Sequence, residues 1–181
     1  EVKKGQICRL PENERTNETR ENSTPRKPRS RPIKIDRRSA RDKFALDPLW
    51  RPATYVQNKF EVNPDKTLTD SSTGLIWQRS GSHFPITWPQ AIEFIKELNS
   101  LQFAGSSDWR LPTIDELTTL LTEFPSGEDY CIEPIFDPRQ KWIWSSDRRS
   151  FTAAWYVSID MGYVASQDFT GYYYVRAVRD N

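Results

Sequence analysis

Few residues in this chain have the type and spacing that chemistry requires. The single histidine, His83, lies in a Gly/Ser/Pro loop with no second imidazole or thiolate near it in sequence, so it reads as an exposed side chain rather than a zinc ligand. No Gly-rich phosphate loop and no nucleophile-elbow pattern occurs. Hydrolytic, phosphoryl-transfer and metal-dependent catalysis thus lack their usual groups, and a non-enzyme without a cofactor is the expectation. Cys8 and Cys131 are the only cysteines. Paired, they would close a loop of about 120 residues and contribute about 4 to 5 kcal/mol in the chain-entropy picture. Left as two thiols, they would suit a reducing compartment. Both readings stand open.

The remaining candidates suit recognition. Between Asp147 and Tyr173 the chain offers Arg148 and Arg149 in one loop, then Tyr156 and Ser158 on the outward face of an expected strand. Asp160 and Tyr163 flank the Met161-Gly162 turn, and Gln167, Asp168, Tyr172 and Tyr173 sit in a last loop. Tyr-rich surfaces punctuated by Ser and Gly bind well because the ring brings contact area at small entropic cost; a solvated sheet edge is the plainer alternative. Trp109 and Arg110 read as framework, with Arg110 placed to pair with Asp108, Asp115 or Glu116. Arg176 and Arg179 invite the same reading.

Charge divides the chain. Net charge is +1, but residues 1–59 hold 16 Lys+Arg against 8 Asp+Glu, while residues 60–181 hold 10 against 17. A positive arm therefore precedes a negative body, and it should seek an acidic partner: a protein or larger assembly, an anionic glycan, nucleic acid, or the chain's own body. The arm's most basic part runs from Arg26 through Lys27, Arg29, Arg31, Lys34, Arg37 and Arg38 to Lys43. Six prolines from Pro11 to Pro52 and no sustained apolar period predict extended chain there. Ile33, Ile35, Phe44, Leu46, Leu49 and Trp50 are apolar anchors that a pure spacer would not need, so the arm could order on a partner. Mean hydropathy is -0.77, yet the aromatics lie mostly after residue 60, so the core belongs to residues 60–181. No run of about 18 apolar residues exists, so no membrane-spanning helix is expected. The chain opens on Glu1 rather than Met, as if a leader, propeptide or tag had been removed.

The elements that must position these groups are short. Phe60-Glu61-Val62, Thr67 to Asp70 and Leu75-Ile76-Trp77 read as a meander of strands separated by turns. Thr87 with Gln90, and Thr113 with Glu116, are capping boxes that start two helices. The first runs to about Ser100 with Ala91, Ile92, Ile95 and Leu98 inward; the second buries Ile114, Leu117, Leu120 and Leu121. Glu123 to Lys141 is turn-rich, and strands follow at Trp142 to Ser145, Trp155 to Ile159, Tyr163 to Ala165 and Tyr173 to Val178. Alternation in the second of these sends Trp155, Val157 and Ile159 inward. Two helices with short antiparallel strands make an α+β domain.

Asp108-Trp109-Arg110-Leu111-Pro112-Thr113, Gly74-Leu75-Ile76-Trp77-Gln78, Trp142-Ile143-Trp144-Ser145-Ser146, Ala154-Trp155-Tyr156-Val157 and Tyr174-Val175-Arg176-Ala177-Val178-Arg179 occur in an order that resembles the C-terminal domain family of the Legionella collagen-like adhesin. The resemblance implies a C-type-lectin-like fold, related to that of formylglycine-generating enzymes and of retroelement variable proteins, used mostly for binding. It implies no lectin calcium site here, because Glu133-Pro134-Ile135 puts an aliphatic side chain where an oxygen ligand belongs. Nor does it imply oxidase chemistry, since a dithiol mechanism cannot run on Cys131 alone. The expected protein is a non-catalytic binding and assembly module of bacterial type, periplasmic or extracellular with the cytoplasm left open, whose basic arm docks to an acidic partner. Its rivals are an adhesin-like module for sulfated glycans and nucleic-acid binding through the arm.

Overall fold

The computed structural model describes residues 27–126 and 130–181. Among them are three helices, α1 (Arg37–Lys43), α2 (Trp88–Ser100) and α3 (Ile114–Thr119), and nine short strands. The architecture is α+β. Both capping boxes form: the Thr87 amide donates to Gln90 Oε1 at 2.9 Å, and the Thr113 amide donates to Glu116 Oε2 at 2.9 Å while Thr113 Oγ1 accepts from the Glu116 amide at 3.2 Å. Local chemistry therefore places the start of both helices, as the sequence predicts.

Strands β1 (Phe60–Val62), β2 (Thr67–Asp70) and β3 (Leu75–Gln78) form an antiparallel meander, which the last strand, β9 (Val178–Asp180), completes at the β3 edge. A ribbon of β4 (Leu121–Ser126) and β5 (Tyr130–Ile132) occupies part of the stretch read from sequence as turns, and Leu121 opens that ribbon instead of closing α3. The third sheet runs in the order β6 (Trp142–Arg148), β7 (Ala153–Ser158), β8 (Tyr163–Asp168). Tyr173 to Ala177 is not the continuous strand expected; it makes single bridges, Tyr173 to Ile86 and Tyr174 to Ile143, before β9 begins.

Strand β7 is covered on both faces. Trp155 and Val157 point into a cluster with Leu68, Trp77, Ile114 and Leu117; Ala154 and Tyr156 point into a second one with Ala91, Ile95 and Leu98 of α2 and with Trp109 and Trp144. Tyr156 and Ser158, expected outward, are therefore buried, at 8% and 0% exposure. Alternation identifies two faces but does not say that one of them meets solvent.

The basic segment differs most from expectation. Arg37–Lys43 is helical: Asp36 Oδ1 accepts from the Arg38 and Ser39 amides at 2.9 and 3.1 Å, and Arg41 and Lys43 lie at the negative end of the helix dipole. Seven residues are too few to show a 3.6-residue period, which is why the helix escapes sequence reading. Ala40, Phe44 and Leu46 belong to the same core as Trp155 and Ile114. Burying the two larger side chains stabilises the fold by about 2 kcal/mol each. Among the described residues, the segment from Lys27 onward is folded onto the body.

Candidate functional site

One guanidinium holds the basic segment down. Arg29 NH1 and NH2 each donate to Asp147 at 2.9 Å, while Nε and NH2 donate to Asp115 at 3.1 Å. Asp147 is fully buried and also accepts the Ile33 amide at 2.7 Å and the Ile114 amide, the first of α3, at 2.8 Å. The Thr113 hydroxyl donates to the Arg29 carbonyl at 2.6 Å. Burial alone would lower the Arg29 pKa, but its bonds to Asp147 and Asp115 outweigh burial and hold it above the usual value. Lys27 adds an exposed pair with Asp180 at 3.1 Å. Beyond the clamp, the Ile35 amide donates to the Arg148 carbonyl and the Arg148 amide to the Ile33 carbonyl, both at 2.9 Å, so the segment lies along the end of β6.

That docking carries Trp50 to β8. Asp47 Oδ1 accepts the Leu49 and Arg51 amides at 2.8 and 2.9 Å and closes a tight turn in which Trp50 takes φ +64°. A tryptophan in the left-handed region costs about 1 to 2 kcal/mol. Stacking on Trp155, with centroids 5.7 Å apart and planes at 20°, offsets that cost together with the Val164 amide's bond to the Trp50 carbonyl at 2.9 Å. The Arg37 guanidinium lies 5.3 Å from the Trp50 ring centre. Between this turn and the edge of β8 opens a cleft of about 230 Å³, lined by Arg37, Leu49, Trp50, Arg149, Trp155, Tyr163, Val164, Ala165 and Ser166. Two cations beside flat aromatic surfaces can hold a carboxylate, sulfate or phosphate and pack its carrier.

The cleft joins two sets of residues that sequence reading keeps apart. Arg149 and Tyr163 come from the expected ligand surface, Arg37 and Trp50 from the expected docking arm. Other members of those sets lie elsewhere. Tyr156 is stacked on Tyr173 at 4.4 Å within the second cluster, and burial, reinforced by the Tyr163 phenol, raises its pKa. Arg148 is exposed, with its backbone engaged by residues 33 and 35. Asp168 is exposed and 4.0 Å from Arg149; Gln167 and Tyr172 are exposed, with Gln167 Nε2 3.5 Å from the Tyr173 hydroxyl. Arg31, Lys34 and Arg38 face solvent, Lys34 with its ammonium 3.8 Å above the Phe151 ring. Arg26 and Cys8 lie outside the described residues, and with Cys8 the question of a disulfide. Cys131 is buried, and burial pushes its thiol up against the opposing effect of Arg51.

Sequence reasoning missed Asp115 and Asp147 as the clamp, and Val164 to Ser166 as a cleft wall. The charge split was the available signal for the first; nothing in the sequence marks the second.

The framework arginines behave as their sequence context suggests. Arg110 makes a two-pronged pair with Glu116, both contacts 2.7 Å, and reaches Asp180 at 3.2 Å. Trp109 is buried and its indole donates to the Phe103 carbonyl at 2.9 Å. Arg176 is wholly buried and donates to the Gln78, Arg79 and Asp137 carbonyls and to Gln140 Oε1. Burial lowers its pKa to about 9, still a cation at neutral pH. Glu133 is exposed, and the Ile135 carbonyl accepts from Arg79 Nε at 3.0 Å.

Comparison with known proteins adds one match. The family described as the Lcl C-terminal domain matches residues 66–179, more than half of the chain. No curated protein matches it.

Proposed function

This chain belongs to the Lcl C-terminal domain family, and from that premise we propose that it is a non-catalytic binding and assembly module that holds an acidic partner, protein or glycan, in the cleft between the Trp50 turn and β8. The observation that carries this reading is the convergence of Arg37 and Arg149 with Trp50 and Tyr163 in one cleft. The body is a lectin-like scaffold in this reading, and the basic segment contributes one wall of the cleft, through Arg37, Leu49 and Trp50. The residue inventory supports the non-catalytic part of this reading: the lone His83 is exposed on a loop, and Cys131 is buried with its thiol pKa raised. Membership in an adhesin-like family favours a location at or beyond the cell surface. No helix among the described residues is long and apolar enough to cross a membrane.

A second reading, an adhesin-like module for sulfated glycans, is favoured by the family itself and would use the same two arginines. Nucleic-acid binding through the basic segment ranks lower, because Arg29 and Lys27 are engaged with the body's own carboxylates.

The double variant Arg37→Ala/Arg149→Ala tests the proposal. Both side chains are at least partly exposed, so the fold should survive by circular dichroism. Retention on immobilised heparin and on an acidic-protein column should fall, with affinity down about tenfold or more. Undiminished binding to both would contradict the cleft as the site.

A further inference from the structure

The register of β7 and β8 fixes which way β8 turns its backbone. Val164 stands opposite Val157, yet its amide donates to the Trp50 carbonyl at 2.9 Å, so its peptide groups face away from β7. Antiparallel ladders alternate with a period of two. Ser166, opposite Trp155, must therefore direct its N–H and C=O outward as well. Strand β8 is the last of its sheet. Among the described residues, no backbone group outside the ladder takes the Ser166 N–H, the Ser166 C=O or the Val164 C=O. The next outward position is closed: the Asp168 amide donates to Gln167 Oε1 at 3.0 Å, and its carbonyl accepts the Gly171 amide at 2.9 Å. A short open edge thus lies between the Trp50 turn and the Asp168 turn, along one wall of the cleft.

We propose that this edge takes an extended acidic peptide segment of a partner protein, which adds as a short strand at Ser166 and directs carboxylates to Arg37 and Arg149. The inference rests on the reading above, that the cleft binds an acidic ligand, and adds the chemistry of the ligand. A peptide backbone alternates donor and acceptor at the spacing an open ladder position requires, and strand addition draws its affinity from those bonds. A glycan offers hydroxyls without that repeat. The Trp50 carbonyl already occupies the Val164 amide, so the edge accepts main-chain partners, and an incoming strand would continue from there. A second copy pairing edge to edge would bring Arg37 and Arg149 against their own kind, which disfavours self-association and favours an acidic strand.

The test uses the full chain and three fluorescent probes: a short peptide alternating glutamate and valine, the same peptide with the amides of one edge N-methylated, and a heparin fragment. Anisotropy should show the parent peptide binding and the N-methylated one weakened about tenfold, the worth of two lost backbone bonds. The double variant Arg37→Ala/Arg149→Ala should weaken the parent peptide further. Equal binding of the two peptides, with loss in the arginine variant, would overturn strand addition and leave the acidic cleft standing. Heparin bound through the two arginines with no peptide binding would overturn the peptide in favour of a glycan. Arginine substitutions without effect on any probe, or no probe bound, would overturn both readings.

Discussion

At Asp147 a fully buried carboxylate is matched by four donors: two guanidinium nitrogens of Arg29 and the amides of Ile33 and Ile114. Taking such a charge out of water costs several kcal/mol, and only complete pairing makes it tolerable. Removing the cation leaves the cost without the compensation. Arg29→Ala should therefore lower unfolding free energy by about 3 kcal/mol, read from the urea midpoint, with Arg29→Lys recovering only part because an ammonium lacks the fork that spans two carboxylates. A loss below about 0.5 kcal/mol would place the pair among ordinary surface bridges. The pairing could not be read from sequence, since Arg29 and Asp147 are 118 positions apart and neither residue type is normally buried. Arg110 and Glu116 are the contrast: only six positions apart, with Glu116 in the capping box, they are legible as one of three pairings open to Arg110.

Elements differ in how much of themselves the sequence declares. Helices α2 and α3 announce their starts through side chains that bond their own neighbours, and the β1 to β3 meander through turns at Asn63-Pro64-Asp65 and Thr73-Gly74. Helix α1 declares nothing by periodicity, and β7 shows its alternation but not that α2 roofs its second face. In both cases the deciding contact comes from elsewhere in the chain. For α1 that contact is Phe44, 5.5 Å from Trp155 in an edge-to-face pair. Phe44→Ala should cost about 3 to 4 kcal/mol, the usual penalty for emptying an aromatic core site. Differential scanning calorimetry would show one transition moved downward; a melting temperature unchanged within error would mean that the segment packs without contributing.

For the molecule as a whole, the charge split has a partly internal outcome. The basic segment meets the acidic body through Arg29 with Asp115 and Asp147, and Lys27 with Asp180, while Arg31, Arg38 and Lys43 remain toward solvent. Sequence reading proposes the two surfaces separately and does not bring Arg37 and Trp50 together with Arg149 and Tyr163, because only docking carries Trp50 to β8. The cleft therefore exists only if residues 33–52 are part of the folded body in solution. Amide hydrogen exchange on the full chain tests this most directly. The Ile35, Phe44, Leu46 and Val164 amides, bonded to Arg148, Ala40, Arg41 and Trp50 carbonyls, should exchange slowly and with β7 as one unit. Exchange of Ile35, Phe44 and Leu46 at free-peptide rates while β7 stays protected would contradict the docked segment and the cleft built on it.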